Sequence, residues 1–519
     1  MLLIEGLQDS SLFDHPVTGF EVIETHISWV LLTGQYVYKI KKPVNFGFLD
    51  FSTLEKRHFY CREELRLNRR MAPGLYLDVV AICGSRERPE LTGPGPAIEY
   101  AVKMRQFPQS AQFDRLLASH GLDKMTMDDL AVRVANFHLS SEPVEKESCF
   151  GDLQHVRQVV LENYEHIRRT IDNPVSMVLL DRLEKWSSNQ LQELSDLIGQ
   201  RKQQGFVREC HGDMHLRNIA MWHNDIIIFD CIEFNANLYQ IDVVSDISFL
   251  LMDLEVRHQE VLARRFLNRY LEITGDYEGL RLLRFYKVYR ALVRAKVDAL
   301  RTDQEEYGSR EYDLTFENFQ HYLELADSYI CSTTPSLLIN HGLSGSGKSY
   351  GARTIVEKYS VIQIRSDVER KRLSRADNGG NFVREKDLYS LSATLRTYDR
   401  LADIAHCLLT AGYSVLIDAT TLKARQRKKF IDLAGALNIP CCILNFKASP
   451  ETLRERVRLR AEEGSDISDA TVEVVESQIA GYEPLSADEK KITVDIDTEP
   501  GSDIEKILYH TPAFICECV

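Results

Sequence analysis

The sequence predicts two domains of different fold class, a bilobal α+β domain followed by an α/β domain built on a parallel sheet. Three observations support this prediction. A β-rich stretch gives way to long amphipathic helices, a short polar segment (CSTTPS) interrupts the chain, and apolar strands then alternate with helices, which is typical of a parallel sheet. We expect a first domain at 1–330 (β-rich lobe about 20–110, helical lobe about 111–330), a linker at 331–336 and a second domain at 337–519.

Length and composition agree with two ordinary globular domains. A chain of 519 residues is too long for one hydrophobic core, and 44% apolar with 27% charged residues is the balance of a folded globular protein. The net charge of −14, from 63 basic and 77 acidic residues, argues against a wide nucleic-acid footprint, since phosphate binding depends on clustered positive charge.

Cysteine usage and the N-terminal sequence bear on the compartment. The eleven cysteines include no Cys-x-x-Cys pair, so we expect free thiols in a reducing environment. The first residues lack the positive region of a secretory signal, and no apolar run approaches the ~18 residues that span a bilayer. We therefore expect a cytoplasmic protein without membrane contact, and the sequence makes no prediction about oligomeric state.

The β-rich lobe begins with a predicted hairpin and a helix. Segments 22–32 and 36–41 are rich in β-forming residues, and Gly34 between them supplies the positive φ of a turn. The helix that follows has Asp50 or Ser52 as its candidate N-cap.

The remaining elements follow from hydrophobic periodicity. The stretch 76–107 predicts a strand pair that turns at 93–96, and amphipathic helices are predicted at 152–170 and 281–302. In the second domain the candidate strands are LLIN, VIQI, SVLID, CCILNF and ITVDI.

A glycine-rich loop opens the second domain. Residues 342–349 read GLSGSGKS, which fits G-x-x-x-x-G-K-[ST], and the loop lies between a predicted strand and a predicted helix. Its glycines let backbone N–H groups turn inward around a phosphate, while Lys348 reaches the β/γ-phosphates and the Ser349 hydroxyl binds Mg²⁺. The candidate ATP-binding residues are Gly342, Gly345, Ser346, Gly347, Lys348 and Ser349.

Two carboxylates follow later strands of this domain. Asp367, with Arg370 three residues on, and Asp418, with Thr420 two residues on, come at carboxyl ends of predicted parallel strands, where ligands bind. Asp367 could accept a proton from a substrate hydroxyl, and Asp418 could hold Mg²⁺ through water or orient the acceptor. The alternative for each is a helix N-cap.

Arginines follow on a predicted helix. Arg456 and Arg460 are four residues apart and share a face, which suits the negative charge of a phosphoryl-transfer transition state. The alternative is a solvated helix face paired with neighbouring glutamates.

These elements, in this order over residues 335–519, resemble the P-loop kinases of the polynucleotide kinase and zeta-toxin type. The resemblance implies a P-loop NTPase fold and phosphoryl transfer to a hydroxyl, with Asp367 and the two arginines in catalytic roles. Acceptors in such families range from nucleic-acid ends to nucleotide sugars, so the resemblance chooses no substrate.

A second constellation lies in the first domain. His211, Asp213 and Asn218 have the spacing of the protein-kinase catalytic loop, with Gly212 in place of Arg, and Asp230 ends the next predicted strand. In that arrangement Asp213 accepts the proton of the substrate hydroxyl, while Asn218 and Asp230 bind Mg²⁺. We expect His211 to brace the loop through hydrogen bonds.

A protein-kinase-like domain also needs a lysine for the ATP phosphates. Lys39 and Lys41 share one face of a strand, and the following helix offers Glu55, Glu63 and Glu64. We favour Lys39 as the ATP-binding lysine, with Glu63 or Glu64 as its partner, over exposed strand charges. Because no Gly-rich loop of the protein-kinase form precedes Lys39, an ordinary protein kinase is disfavoured.

Residues 20–330 resemble the aminoglycoside phosphotransferase family, in which a His-Gly-Asp loop is followed by Asn and by a metal-binding Asp. An aromatic residue usually follows that Asp, and Cys231 stands there in this chain. Glu233 could face the site, whereas Asp242 and Asp246 are expected to cap and brace a helix. Family members phosphorylate choline, homoserine, sugars and antibiotics.

The whole chain resembles a bacterial fusion of these two kinase types and is predicted to be an ATP-dependent kinase with ATP and Mg²⁺ as cofactors. Each domain would transfer a phosphoryl group to a hydroxyl of a small-molecule acceptor. One alternative is a regulatory protein gated by nucleotide. Another is a nucleic-acid 5′-end kinase, which stays open because a basic run follows Thr420, namely Lys423, Arg425, Arg427, Lys428 and Lys429.

Overall fold

The computed structural model describes residues 2–47, 49–331, 334–377, 390–463 and 471–502. The chain forms two compact units, Met1–His258 with Leu282–Ile330, and Gln259–Arg281 with Cys331–Val519. The segment Gln259–Arg281 thus belongs to the second unit, whereas the predicted division placed it in the first domain.

The first unit begins with a helix and an antiparallel sheet that is interrupted by a second helix. The elements are α1 (Leu2–Gly6), β1 (Glu21–Glu24), β2 (Ser28–Leu32), β3 (Tyr36–Lys41), α2 (Leu54–Asn68), β4 (Tyr76–Gly84), β5 (Pro89–Leu91) and β6 (Glu99–Arg105). The strands lie in the order β1-β2-β3-β6-β4-β5, every pair antiparallel. One face of α2 packs on β6 and β4 around Cys61, Tyr76 and Val102.

The predicted β2–β3 hairpin is confirmed, with Gly34 at φ 95°. Two local predictions are wrong. The segment 22–32 is not one strand, because the Thr25 hydroxyl accepts the Ser28 N–H and turns the chain between β1 and β2. The N-cap of α2 is Thr53, whose hydroxyl accepts the Lys56 N–H. Asp50 instead accepts the Ser52 N–H and pairs with Lys56.

The rest of the first unit is largely helical. Its helices are α3 (Phe113–Ala118), α4 (Lys124–Ser140), α5 (Leu153–Thr170), α6 (Pro174–Glu193), α7 (Ser195–Gln203), α8 (Ala236–Tyr239), α9 (Val243–Glu255), α11 (Leu280–Thr302) and α12 (Arg310–Ile330). Between α9 and α11 the chain forms α10 (Glu260–Thr274), which belongs to the second unit. Two short antiparallel pairs carry the central loops, formed by β7 (Val207–Glu209) with β10 (Gln240–Asp242) and by β8 (Ile219–Trp222) with β9 (Asp225–Ile228). The predicted helices at 152–170 and 281–302 are confirmed as α5 and α11. Every residue of α9 from Val243 to Leu254 is buried, including the polar Ser245, Asp246, Ser248 and Asp253.

The second unit has the predicted parallel sheet. Its elements are β11 (Leu337–His341), α13 (Lys348–Lys358), β12 (Val361–Arg365), α14 (Ser366–Asp377), α15 (Leu391–Thr410), β13 (Ser414–Asp418), α16 (Ala424–Leu437), β14 (Cys441–Lys447), α17 (Pro450–Glu463), α18 (Val472–Ala480), α19 (Ala487–Lys491) and β15 (Thr493–Asp497). The five strands lie in the order β12-β13-β11-β14-β15, all parallel. The glycine-rich loop therefore leaves the central strand, β11, between the carboxyl ends of β13 and β14.

Helix α10 belongs to this unit because it completes the edge of the sheet. Strand β12 is an edge strand, and the Asn268 side chain bonds its outer backbone: Nδ2 donates to the Val361 carbonyl at 3.2 Å, and Oδ1 accepts the Gln363 N–H at 2.7 Å. Arg265 on the same helix pairs with Glu357 of α13 at 2.7 Å. Within the described ranges, no helix has both the length and the apolar character needed to cross a membrane.

Candidate active sites

A cavity of about 780 Å³ lies in the first unit. The sheet contributes apolar side chains to its wall, among them Val30, Val37 and Met104. Three of the predicted site residues, Lys39, Asp213 and Asp230, also line it. The fold therefore brings together residues that are up to 191 positions apart in the chain.

Both strand lysines reach one carboxylate, that of Glu64. Lys39 Nζ lies 2.8 Å from Glu64 Oε1, and Lys41 Nζ lies 2.7 Å from Glu64 Oε2. Lys39 also pairs with Asp230, and Lys41 pairs with Glu233. Because Lys39 lines the cavity and Lys41 is buried behind it, the geometry favours Lys39 as the phosphate lysine.

Glu63, the other candidate partner of Lys39, points elsewhere. Its carboxylate bonds Arg66, one turn along α2, at 2.8 Å. A helix turns by about 100° per residue, so adjacent positions cannot both face the strand lysines. The proposed supporting role therefore passes from Glu63 to Glu64.

The charge balance keeps Lys39 and Glu64 of this cluster ionised. Burial lowers the pKa of Lys39, but the negative charges of Asp230 and Glu64 raise it by a larger amount. The net pKa therefore lies well above the ordinary value. For Glu64, burial raises the pKa, whereas the two lysines lower it to about 2. Burial also raises the pKa of Glu233, which Lys41 only partly offsets.

Asp213 lies on the loop after β7 and is held as a carboxylate. Its Oδ2 accepts the Asn218 Nδ2–H at 3.1 Å and lies 3.3 Å from His215 Nε2. Burial raises the pKa of Asp213, but His215 and then Arg294 lower it by more, so the net pKa is below that of an ordinary aspartate. An ionised, partly exposed carboxylate at the cavity wall can accept a proton.

His211 braces the same loop. Its Nδ1 accepts the Asp213 N–H at 3.2 Å, so its Nε2 donates to the Phe229 carbonyl at 2.8 Å. Burial lowers the pKa of His211, which keeps the ring neutral and able to make both bonds.

Three further braces were not found from the sequence as parts of the loop. Asp246 of α9 accepts the backbone N–H groups of His211 and Gly212 at 2.9 and 2.8 Å, and Asp253 accepts that of Leu216 at 2.9 Å. Arg290 of α11 donates to the Gly212 carbonyl at 2.9 Å. For the two aspartates, the sequence does contain a signal. Asp246 and Asp253 are seven residues apart and therefore share one face of a helix that is otherwise largely apolar.

Two backbone conformations support the site. Gly212 has φ 85°, and a Cβ there would lie 2.5 Å from the Leu238 carbonyl oxygen, so no other residue fits. Asp230 has φ 61°, a conformation that non-glycine residues rarely adopt and that concentrates at functional sites. Its backbone N–H donates to the Tyr76 hydroxyl at 3.1 Å.

Ser28 was also missed. Its side chain lines the cavity from β2, and its buried hydroxyl has no hydrogen-bond partner among the described residues. A lone serine in a strand gives no sequence signal, because its position beside the cavity depends on the turn that precedes the strand.

The glycine-rich loop of the second unit requires its glycines. Gly342, Gly345 and Gly347 have φ of 147°, 83° and 80°. A Cβ at Gly342 would lie 2.6 Å from the Phe446 carbonyl oxygen, and one at Gly345 would lie 2.8 Å from that of Leu453. The loop therefore keeps its backbone close to β14 and α17.

The side chains of this loop suit a phosphate. The buried Ser346 hydroxyl has no hydrogen-bond partner in the described part of the chain. Lys348 Nζ donates to the Leu343 carbonyl at 2.6 Å, inside the loop that would surround the phosphate. Ser349 is exposed at the first turn of α13. Gln478 of α18, which the sequence did not single out, accepts the Ser344 N–H at 2.8 Å.

Asp367 and Asp418 lie at the carboxyl ends of neighbouring strands. Asp418 Oδ1 accepts from Asn340 at 3.0 Å, and its Oδ2 accepts from Gln363 at 2.8 Å. Burial raises the pKa of Asp367; Arg370 lowers it, Asp418 raises it, and the net pKa is above the ordinary value. A raised pKa makes Asp367 a stronger base.

The other residues predicted for this site differ in position. Arg456 Nη1 donates to the Gly345 carbonyl at 3.3 Å, so this arginine touches the glycine-rich loop. The side chain of Arg460 lies outside the described residues. Thr420 contributes its carbonyl, which accepts the Gly342 N–H at 3.2 Å, and Arg370 donates to the Thr394 hydroxyl at 3.2 Å.

The basic run after Thr420 is largely neutralised by acidic partners. Four of its five members form ion pairs, namely Lys423 with Glu483, Arg427 with Glu489, Lys428 with Asp432 and Lys429 with Asp399. Arg427 is fully buried. The run therefore forms no continuous cationic track for a nucleic-acid backbone.

Comparison with known proteins gives a family match for the second unit. Residues 337–485 match the family described as an AAA domain. Curated relatives in Mycobacterium tuberculosis and Mycobacterium bovis, both named uncharacterized proteins, are 29% identical over 472 residues, which is 90% of this chain and 91% of theirs.

Two solved structures are similar to parts of the chain. An amicoumacin kinase in complex with AMP-PNP and Ca²⁺ is 13% identical with a TM-score of 0.38, and the match covers 59% of this chain and 88% of that one. A gluconokinase from Sinorhizobium meliloti is 17% identical with a TM-score of 0.25, over 36% of this chain and 93% of that one.

The family match spans the glycine-rich loop, Asp367 and Asp418, all at one edge of a parallel sheet. The chain is an ATP-dependent kinase, a nucleotide-binding transferase with a P-loop in its second unit.

Proposed function

We propose that each unit transfers the γ-phosphoryl group of ATP·Mg²⁺ to a hydroxyl of a small-molecule acceptor. The observation that carries the proposal for the first unit is the joint placement of three residues at one cavity. Lys39, the ionised Asp213 and Asp230 line it together. The bilobal, protein-kinase-like plan of this unit is part of the same proposal.

The donor atoms near Asp213 suit Mg²⁺. Asn218 bonds Asp213 through its amide nitrogen, which leaves its amide oxygen for a cation, and the Asp230 side chain is half exposed. Magnesium prefers carboxylate, carbonyl and water oxygens, so Asn218 and Asp230 would hold it, and it would neutralise negative charge on the phosphates. In the second unit Ser349, and Asp418 through water, would do the same.

In the first unit, positively charged and hydroxyl groups would bind the phosphates, and a carboxylate would accept the proton. Glu64 fixes the Lys39 ammonium, which neutralises phosphate oxygens, and the Ser28 hydroxyl can donate to another. As the acceptor oxygen bonds to the γ-phosphorus and the bond to the ADP oxygen breaks, Asp213 takes the hydroxyl proton. The products are the phosphorylated acceptor and ADP.

In the second unit the loop backbone and Lys348 would hold the triphosphate. Asp367 would take the proton of a second acceptor hydroxyl, aided by its raised pKa. Arg456, together with Arg460, would stabilise the negative charge on the transferring group.

The test measures ADP release by the full-length protein with pools of small hydroxyl compounds. We expect D213N to lower release with one set of acceptors about 100-fold or more, and K348A to abolish release with a different set. ATP binding without any acceptor-dependent ADP release would instead support the nucleotide-gated regulatory function. Unchanged nucleotide binding by the second unit in K348A would refute its P-loop assignment.

A further inference from the structure

Helix α11 places Lys296 in the wall of the first unit's cavity. The side chain is partly buried, and none of the described residues gives it a hydrogen bond or an ion pair. This distinguishes it from Lys287 on the same helix, which pairs with Glu255 at 2.6 Å, and from the buried Lys202, which pairs with Asp152 at 2.6 Å.

Among the described residues, no neighbour forms a close ion pair with the Lys296 ammonium. Glu162 of α5 lines the same cavity and attracts the ammonium from a distance, but its carboxylate accepts a hydrogen bond from Gln158 at 2.8 Å. His166 Nδ1 bonds the Glu162 carbonyl at 2.7 Å and adds no negative charge. Burial accordingly lowers the pKa of Lys296.

A desolvated ammonium without a close counter-charge costs free energy, and a bound anion would lower that cost. The ATP phosphates have another lysine in the same cavity, Lys39, whose own carboxylate partners hold it beside Asp230. Building on the proposed function, we infer that the acceptor phosphorylated by the first unit carries an anionic group, a carboxylate or a phosphate, which Lys296 binds. Lys296 is then a specificity residue for the acceptor and takes no part in proton transfer.

The test uses the full-length protein carrying K348A, so that ADP release reports the first unit. Hydroxyl compounds are presented in three pools, namely hydroxy acids with sugar phosphates, neutral polyols and sugars, and amino alcohols. Each pool is tried with K296M, K296R and, as a matched control, K185M, since Lys185 is exposed on α6 outside the cavity.

We expect the turned-over acceptor to come from the anionic pool. K296M should raise its KM about 10- to 100-fold while kcat changes little, K296R should restore most of the affinity, and K185M should have no effect. Carboxylate and phosphate members of the pool, assayed separately, identify the anion.

An acceptor from the neutral or cationic pool, or an anionic acceptor whose KM is unchanged in K296M, would overturn the inference and leave the proposed function standing. If no pool supports ADP release, the proposed function of the first unit fails and the inference fails with it.

Discussion

Glu64 holds together the charge cluster of the first site, because its two carboxylate oxygens each bond a different lysine. Both lysines lie on one face of β3, and each has a second carboxylate partner on the chain after β9, Asp230 or Glu233. The cluster sets three carboxylates against two ammonium groups, a balance that favours binding of a cation. The cluster therefore ties the sheet to the segment that carries Asp230 and Glu233.

Separate substitutions of Glu64 and of Glu63 distinguish the pairing of Glu64 with the two lysines from a general effect of removing a negative charge. E64Q leaves two buried ammonium groups short of a partner, so we expect it to lower the free energy of unfolding of the first unit by about 3–5 kcal/mol. E63Q, the matched control, loses only a surface pair with Arg66 and should cost less than about 1 kcal/mol.

Tryptophan fluorescence measures this change in the first unit alone. All three tryptophans, Trp29, Trp186 and Trp222, belong to that unit. Equal effects of E63Q and E64Q on the denaturant midpoint would contradict the assignment of Glu64.

The two proposed bases predict different acid limits for the two sites. The pKa of Asp213 is lowered, so this carboxylate stays deprotonated to a lower pH than an ordinary aspartate. The pKa of Asp367 is raised, so it is protonated, and its site loses activity, at a higher pH. We expect the acid limb of kcat/KM measured in K348A to lie at lower pH than the limb measured in D213N. The reverse order would mean that other groups control these limbs.

At the scale of elements, α9 places two carboxylates in an apolar interior, where they hold the loop that carries Asp213. Asp246 and Asp253 are the acceptors for three backbone N–H groups of that loop. Burial raises the pKa of Asp246, but bonds from His138 and the loop lower it to about 2, so it is ionised at neutral pH. The geometry of this loop thus depends on carboxylates from a helix outside the loop.

Substitution in α9 should therefore act on the first site only. D246N turns one oxygen into a donor that faces a backbone N–H, and we expect kcat of the first site to fall about 10-fold or more and the first unit to lose about 2–3 kcal/mol of stability. D196N, at an exposed position on α7, is the control. Loss of second-site turnover in D246N would show that the effect is not confined to this loop.

Helix α10 supplies a prediction for the second unit. N268A removes both side-chain bonds to the edge strand β12 and should destabilise the second unit by about 1–3 kcal/mol. Circular dichroism should then show an earlier transition that tryptophan fluorescence does not follow, because the second unit has no tryptophan. Equal shifts in both signals would contradict the placement of α10.

Local patterns predicted most elements, and two of the errors, in the domain division and in the choice between two glutamates, arose from long-range packing. The parallel strands and the helices α5 and α11 follow from hydrophobic period, which is a local property. The placement of α10 depends on Asn268 meeting an edge strand 93 residues away, which no local pattern encodes. The choice between Glu63 and Glu64 likewise needs the helix orientation, which the sequence left open.

At the scale of the whole molecule, the two candidate sites show which residues sequence motifs can predict and which they cannot. The spacing of Asp213 and Asn218 and the P-loop were readable because chemistry demands those residues at close intervals. Arg290, Gln478 and Ser28 were not, since their roles exist only once distant segments meet. The basic run after Thr420 looked like a cationic face, but acidic residues up to 62 positions away neutralise it.

The central claim is that one chain carries two separate nucleotide sites, one around Lys39 and one around Lys348. The most direct test is a calorimetric titration of the full-length protein with a non-hydrolysable ATP analogue and Mg²⁺. We predict two bound molecules in the wild type, one in K39M, one in K348A and none in the double variant, with tryptophan fluorescence confirming that the first unit stays folded. A single bound molecule in the wild type, or a stoichiometry that neither substitution changes, would contradict the claim.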